Sequence, residues 1–389
     1  MACLGIDLSA LRTARAIAED VFARVQSDSL YARPIRERHR IIFYIGHLEA
    51  FDWNLFSPDS GAPALAPDLD QLFAFGIDPK PGELPSDTQE DWPALDRTYE
   101  YRDRIQAFVD QHWNSFPEQL RHVSMEHRLM HAETLAYMLH NLPPERLVPA
   151  EKREPAETNG AVAGEVVEVP KGTAVLGRCR GEGFGWDNEF SQEHVPVEAF
   201  RIDRWKVTNG DYLAFVKSGA AAPHYWENRN GKWFLRRMFD EVALPLDWPV
   251  WVTHDQATAY AHWRDAELPS EAQWHRAAQG SPDEGNFDAR RWDPEPVTAC
   301  PGSASAFGVE GLLGNGWEWT SSLFRPFTGF QPFSFYPGYS ANFFDDDHFV
   351  LKGASPRTDA VFLRRSFRNW FRRDYPYVFA SFRCIHNSH

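Results

Sequence analysis

The sequence predicts an α+β protein of two domains: an N-terminal four-helix bundle, followed by a loop-rich domain of short strands and short helices. Two observations lead to this prediction. Apolar residues recur at three- and four-residue spacing over four segments near the N-terminus, a pattern typical of amphipathic helices. Roughly the last 200 residues instead crowd Trp and Phe among Gly, Pro and Asn, which is typical of irregular chain folded around large rings.

The lengths of the predicted helices suit an antiparallel bundle. These helices span residues 8–27, 35–56, 94–116 and 117–140. The connection between the second and the third, residues 57–93, is long and rich in Pro, Gly and Asp. Because long connections in compact domains often serve a function, we expect this loop to contribute to a binding surface.

The domain boundary is predicted at residues 142–172, which have the composition of a linker and no periodic apolar face. The helical domain then covers residues 1–141, and the second domain covers residues 173–389. Short strands and two short helices are expected in the second domain. The strands are predicted over 174–177, 194–202, 250–252 and 349–352, and the helices over 209–218 and 253–266.

Charge and cysteine content restrict the class of protein. The net charge is -15 and the Arg residues are scattered among acids, which argues against nucleic acid as a partner and favours a small-molecule substrate. The four cysteines lie far apart and form no CxxC pair, as expected for a reduced, cytoplasmic protein. We expect no exported form and no membrane span, because no basic start precedes an apolar run and no stretch is long enough to cross a bilayer.

A histidine pair is the strongest chemical signal. His127 and His131, in the run EHRLMHAET (126–134), lie one helical turn apart and can hold one metal ion. His47, in YIGHLEA (44–50), is on a separate amphipathic stretch that a bundle could bring opposite the pair. The alternative is that these are ordinary polar residues satisfied by backbone or acidic partners. A zinc protease is excluded, because Arg128 stands where that motif needs its general base, Glu.

Four ordered motifs in the second domain resemble the fold of the formylglycine-generating enzyme, a sulfatase-modifying factor. They are FRIDRWKVTNGDYLAF (200–215), LPSEAQWHRAA (268–278), GNGWEWTSS (314–322) and SFRC (381–384). The helical domain with its three histidines resembles a DinB-type domain. Together the two resemble the nonhaem iron sulfoxide synthases of ergothioneine and ovothiol biosynthesis, and their relative selenoneine synthase.

This resemblance implies an O2-dependent reaction that joins a sulfur or selenium donor to the imidazole carbon of hercynine. It implies Fe(II) as the cofactor, with His47, His127 and His131 as its ligands. Imidazole suits Fe(II), and three protein ligands leave positions open for O2 and the substrates.

For hercynine, the run RNWF (368–371) resembles the family segment that holds the amino-acid end of the substrate. Trp370 and Phe371 are assigned to the trimethylammonium group through their aromatic faces, and Asn369 to the carboxylate. The alternative is that both rings belong to the core of an aromatic-rich domain.

Two departures from the mycobacterial type of ergothioneine synthase concern the same pocket. Phe324 and Phe327 stand in the segment that carries the catalytic Tyr of that type, so no catalytic proton donor is assigned. Met130 stands where that type has a Gln that binds the imidazole of hercynine, and a thioether cannot replace that amide. Phe324 and Met130 are both predicted to contact hercynine.

A third departure concerns the donor. In the mycobacterial type an Arg-rich stretch of the long loop is used for the carboxylates of γ-glutamylcysteine, whereas this chain reads FAFGIDPKPGELPSD (73–87). Asp78, Asp87 and Trp92 are predicted to hold a neutral polyhydroxylated donor, which favours a selenosugar and a selenoxide or sulfoxide product on the way to selenoneine. The alternatives are solvated loop acids and an ergothioneine-type enzyme with a thiol donor, γ-glutamylcysteine or cysteine.

Two other functions compete with this prediction. A true formylglycine-generating enzyme needs a reactive cysteine pair near its C-terminal end, where this chain has only Cys384. A non-catalytic ligand-binding module of the same fold would need no iron at all.

Overall fold

The computed structural model describes residues 6–58, 64–76, 84–150, 158 and 160–386. The chain divides into two compact units, Met1–Glu151 and Lys152–His389. The first unit is helical, and the described part of the second combines four small sheets with three short helices and long loops. Within the described ranges, no helix is both long enough and apolar enough to cross a membrane.

The first unit contains the four predicted helices, each somewhat shorter than predicted, and a fifth. They are α1 (Leu8–Phe22), α2 (Ile41–Phe56), α3 (Pro67–Phe75), α4 (Leu95–His112) and α5 (Glu118–Leu139). The long loop predicted over residues 57–93 contains this fifth helix, α3, which the prediction did not include. Helix α3 begins with Pro67 and ends at Gly76, which has a φ of +75°. Proline and glycine are common in loops, but they are also ordinary residues at the start and the end of a helix.

Helix α2 is the centre of this unit. Twelve of its 16 residues are buried, so it is apolar on nearly every face, as expected for a helix surrounded by others. It contacts α3, α4 and α5, and α1 packs on α5. This central position lets α2 and α5 carry facing side chains.

The second unit contains thirteen described strands and three described helices. The strands are β1 (Val166–Val169), β2 (Gly172–Leu176), β3 (Glu193–Val197), β4 (Phe200–Asp203), β5 (Trp226–Arg229), β6 (Lys232–Arg236), β7 (Glu241–Ala243), β8 (Ala266–Glu267), β9 (Gly316–Leu323), β10 (His348–Ala354), β11 (Asn369–Arg372), β12 (Ala380–Ser381) and β13 (Ile385–His386). The helices are α6 (Asn209–Lys217), α7 (His254–Trp263) and α8 (Glu271–Ala277).

Two of the sheets have four strands, in the orders β1-β4-β13-β8 and β11-β10-β9-β12. The others are the pair β2-β3 and the three-stranded β5-β6-β7. All pairings are antiparallel except that of β12 with β9. The candidate substrate residues lie on β11, at the edge of the second sheet.

Several predicted elements of the second unit need correction. The strand predicted over 194–202 is two strands, β3 and β4, and residues 250–252 form no strand. Ordered structure also occupies both ends of the predicted linker 142–172: Leu142 and Leu147 are buried in the helical unit, and β1 pairs with β4. The apolar runs at these ends are short, and only tertiary contacts reveal their order.

A buried ion cluster explains why the four motifs of the second unit occur together, because each motif contributes one residue to it. Glu318, fully buried, accepts hydrogen bonds from Arg383 at 2.8 Å and from Trp274 Nε1 at 3.1 Å, and Lys206 Nζ lies 2.9 Å away. Burial lowers the pKa of Lys206 to about 8, although Glu318 opposes this shift. A buried charge needs such partners, so the four segments have to meet at this point.

Candidate metal centre and substrate-binding residues

The three predicted metal ligands come together within the helical unit. His47 on α2 and His127 and His131 on α5 each offer a ring nitrogen, and these atoms lie within 4.8 Å of one another. The ring centroids of the α5 pair are 4.5 Å apart, as their one-turn spacing requires. Among the described residues, this is the one group of three such side chains with the spacing of metal ligands.

Helix α3 orients His47. The Nδ1 atom of His47 lies 2.8 Å from the backbone carbonyl oxygen of Phe73, so Nδ1–H donates to that oxygen and Nε2 remains as the atom for a metal. Gly46 permits this contact: a Cβ at position 46 would lie 2.3 Å from the Phe73 ring. The close approach of α3 to α2 therefore depends on a glycine next to the histidine.

The surroundings of the three rings are apolar. Phe51 stacks on His127 with ring centroids 3.5 Å apart, and Phe43 stacks on His47 at 4.7 Å. Burial lowers the pKa of His47 to about 4 and those of His127 and His131 well below the ordinary value. All three imidazoles are therefore neutral near pH 7, which is the form that binds metal.

A buried ion pair holds the two ligand-bearing helices together. Arg128, on α5, donates to Glu49 Oε1 and to Asp52 Oδ2 of α2, both at 2.9 Å. Each of these side chains is at most 4% exposed. Arg128, which excludes the zinc-protease motif, thus links α5, the helix of His127, to α2, the helix of His47.

The donor set fits a divalent transition metal. The candidate ligands are three neutral imidazoles from two helices, with no carboxylate among them. Imidazole is a good ligand for Fe, Zn, Cu and Ni. Nδ1 of His131 is buried and has no hydrogen-bond partner among the described residues, a cost that a bound metal could offset if this nitrogen faces it. Met130, half-buried on α5, lies directly before His131 in the chain.

The predicted hercynine residues lie on strand β11 of the second unit. Trp370 stacks on Phe324 with ring centroids 4.2 Å apart and planes 6° apart, and Tyr339 meets it edge-on at 5.3 Å. The structure therefore brings the predicted Trp370 and Phe324 together. Asn369 Oδ1 accepts a hydrogen bond from the Trp370 backbone N–H at 2.9 Å, so the amide nitrogen is the group of Asn369 suited to a carboxylate.

The strand geometry separates two of the predicted hercynine residues. Successive side chains of a strand point to opposite faces, so Trp370 and Phe371, both paired with β10, lie on opposite faces of β11. Phe371 stacks instead on Tyr375, with ring centroids 5.4 Å apart. Trp370 and Phe371 are neighbours in the sequence, but the alternation of side chains along β11 separates their rings.

Two of the predicted donor residues have partners inside the helical unit. Asp87 is 7% exposed, and both of its carboxylate oxygens accept hydrogen bonds: Oδ1 from Arg33, and Oδ2 from Arg40 at 2.9 Å and from Trp92 Nε1 at 2.7 Å. Trp92 is 5% exposed. Both side chains are used inside the protein, so neither is available to hold a sugar. The third predicted residue, Asp78, lies outside the described residues.

Comparison with known proteins establishes the family. Residues 151–388 match the model of the sulfatase-modifying factor enzyme 1-like domain. The chain belongs to this family. The hercynine oxygenase of Mycobacterium tuberculosis is 36% identical over 238 residues, which cover 51% of this chain and 55% of that protein.

Two fungal relatives extend the similarity to nearly the whole chain. The ergothioneine biosynthesis protein 1 of Neurospora crassa is 26% identical and covers 94% of this chain, and that of Schizosaccharomyces pombe is 27% identical and covers 93%. The matches take in 56% and 54% of these proteins. The chain thus spans about half the length of the curated relatives it matches.

Within the family domain, the described cysteines do not favour a formylglycine-generating reaction. Cys179, Cys300 and Cys384 are free thiols. Cys384 is 2% exposed, and burial raises its pKa well above the ordinary value. Since the thiolate is the reactive form, Cys384 is a poor nucleophile.

Sequence reasoning missed the groups that position the metal ligands. The carbonyl of Phe73 is a backbone atom, and no residue type signals it. Glu49 and Asp52 did carry a signal, since acids in an otherwise apolar helix need partners when buried. Gly46 carried another: a glycine inside a helix costs about 1 kcal/mol and often marks a close approach.

Proposed function

We propose that this chain is an O2-dependent nonhaem Fe(II) enzyme that joins a sulfur or selenium donor to the imidazole carbon of hercynine. The three clustered imidazoles on α2 and α5 carry the proposal. The names of the relatives support its substrate and pathway, since these proteins are hercynine oxygenase and ergothioneine biosynthesis protein 1.

His47, His127 and His131 would hold the metal. Bound Fe(II) would supply one-electron chemistry with O2. The residues themselves keep the site ready: Phe73 fixes the tautomer of His47, and the Arg128 ion pairs fix the spacing of the two helices. Stacked phenylalanine rings limit the access of water and keep the imidazoles neutral.

For hercynine we propose one face of β11. The face of Trp370, supported from behind by Phe324, suits a trimethylammonium group, and the amide nitrogen of Asn369 suits a carboxylate. Phe371 belongs to the other face of the strand and is assigned to packing. Met130, next to His131 in the chain, stays a proposed hercynine contact on the strength of the sequence alone.

For the donor we propose a selenosugar, and this proposal rests on the sequence. Residues 57–93 contain no arginine and one lysine, so they offer little to a dicarboxylate such as γ-glutamylcysteine. Asp87 and Trp92 add no support, since their polar groups serve one another and two arginines. A thiol donor is the second candidate, because the fungal relatives are named for ergothioneine biosynthesis.

Metal content tests the proposal first. After anaerobic loading with Fe(II), the wild-type protein is expected to hold one iron, and His47→Ala, His127→Ala and His131→Ala are each expected to lose it. His122→Ala is the matched control, because His122 lies on the same helix outside the cluster. A wild-type protein that holds no iron, or a control that loses it equally, would contradict the proposal and favour a non-catalytic binding module.

The reaction itself is tested with hercynine and O2. The iron-loaded protein is given a selenosugar, a thiosugar, cysteine or γ-glutamylcysteine, and adducts are identified by mass spectrometry together with O2 consumption. A selenosugar adduct formed in preference to the others supports the donor proposal. If γ-glutamylcysteine is by far the best donor, the chain is an ergothioneine-type synthase and the selenium proposal fails.

A further inference from the structure

A line of aromatic rings leads from the proposed hercynine residue Trp370 into the interior of the second unit. Phe324 lies parallel to the indole of Trp370, and Tyr339 meets this indole at 82° with ring centroids 5.3 Å apart. Trp186 in turn stacks on Tyr339, with centroids 4.0 Å apart and planes 25° apart. Trp370 is half-buried, whereas Tyr339 is 7% exposed and Trp186 is fully buried. The rings therefore connect a partly exposed indole to the packed interior.

Phe324 and Tyr339 restrict the indole of Trp370 in different ways. A parallel stack fixes the tilt of a ring but lets it slide in its own plane, because offset stacks are also favourable. A second ring at nearly a right angle makes contacts that such a movement would break. The position of the indole matters for a bound cation, since a cation must lie within about 6 Å of the ring centroid to be attracted by the ring face. Both contacts are thus needed to hold the indole in one place.

A buried hydrogen-bond network anchors Tyr339 through the next residue in the chain. The hydroxyl of Ser340 accepts a hydrogen bond from Asn188 Nδ2 at 2.9 Å and donates one to Asp187 Oδ1. These three side chains are at most 1% exposed, so the network lies inside the protein, where hydrogen bonds hold geometry most firmly. Asp187 and Asn188 directly follow Trp186 in the chain. Residues 186–188 therefore hold both Tyr339 and its neighbour in the connection between β9 and β10.

We propose that Tyr339, backed by Trp186, is a positioning residue for hercynine: it keeps the indole of Trp370 in the place where the indole faces the trimethylammonium group. This inference rests on the proposed hercynine site and adds to it a residue that sets its affinity. A quaternary ammonium has no N–H to donate, so contact with aromatic faces carries much of its recognition. Loss of the Tyr339 ring should therefore weaken hercynine binding, although Trp370 and Asn369 remain.

The test is calorimetric titration of the full, iron-loaded chain with hercynine in the absence of O2, so that binding is measured without turnover. Tyr339→Leu is expected to weaken hercynine binding by about five- to tenfold. Tyr339→Met, which fills more of the space of the ring, is a second variant with the same expected loss. Tyr339→Phe keeps the ring and should bind like the wild type. Phe335→Leu is the matched control and should also bind like the wild type, because this ring of the same connection stacks on Phe333.

A double-mutant cycle separates positioning from a general loss of structure. If Tyr339 acts through the indole, adding Tyr339→Leu to Trp370→Ala should change the hercynine affinity by less than about twofold. An equal loss with and without the indole, or a loss in Tyr339→Phe as large as in Tyr339→Leu, would overturn the positioning role. Weakened binding in Trp370→Ala beside wild-type binding in Tyr339→Leu and Tyr339→Met would refute this role and leave the hercynine site standing. Wild-type binding in Trp370→Ala would overturn the site itself, and the inference with it.

Discussion

Gly46→Ala is predicted to damage the metal site without touching a ligand. The new Cβ would lie 2.3 to 2.4 Å from three atoms of the Phe73 ring, well inside van der Waals contact. Phe73 is fully buried between Trp92 and Tyr101, so its ring has little room to move. We therefore expect α3 to shift away from α2 and to take with it the carbonyl that orients His47.

The size of the effect can be worked out from two opposing contributions. Replacing a glycine inside a helix with alanine gains about 0.5 to 1 kcal/mol of backbone free energy. Overpacking a buried contact costs about 1 to 3 kcal/mol. A net loss of about 1 kcal/mol is expected in the free energy of unfolding, and loss of the hydrogen bond that holds a ligand should weaken metal affinity by about 10- to 100-fold.

The assay combines urea unfolding followed by circular dichroism with anaerobic Co(II) titration against a chelator. Gly164→Ala is the matched control, because a Cβ there would meet no atom within 4 Å, and it should behave like the wild type. In a Phe73→Ala background the ring is gone, so adding Gly46→Ala should have a much smaller effect on affinity. Wild-type metal affinity in Gly46→Ala, or an equal loss in both backgrounds, would refute this account.

Three further predictions test the other contacts. Arg128→Met leaves two buried acids without their partner and should lower the free energy of unfolding of the helical unit by about 3 to 5 kcal/mol, measured by urea titration. Asp87→Asn should lower stability and leave the KM for the donor unchanged. Burial raises the pKa of Asp87, but hydrogen bonds from Trp92 and two arginines outweigh it and give a lowered value. Its contribution is therefore present above the ordinary carboxyl pKa and lost as pH falls through the lowered one, so stability should depend less on acid pH in the variant. Trp370→Ala should raise the KM for hercynine more than Phe371→Ala, in steady-state O2 consumption, and the opposite order would contradict the assignment of faces.

The helices of the first unit could be predicted because their apolar spacing is long and regular. Helix α3 could not, since nine residues that begin with proline and end before glycine give too short a period to detect. The error matters because α3 supplies the carbonyl that orients His47. Because this segment was predicted to be a loop, the contact between Phe73 and His47 could not be predicted.

The histidine pair on α5 follows from spacing alone, whereas the approach of His47 is a tertiary fact that the sequence could indicate only through a family resemblance. The assignment of Asp87 to the donor meets a related difficulty. The acids of residues 73–87 appear unpaired in the sequence, but the partners of Asp87 are Arg33 and Arg40, 54 and 47 positions earlier in the chain. Local charge counts cannot detect ion pairs between distant segments.

Arg128 shows how one residue can serve both the packing of the helices and the metal site. In the run from His127 to His131, position 128 is turned about 100° from position 127, so its guanidinium reaches the acids of α2 while the histidines reach His47. Arg128 therefore fixes α2 relative to the two histidines of its own helix. Because the ion pair positions the helices that carry the ligands, its loss should weaken metal binding as well as stability.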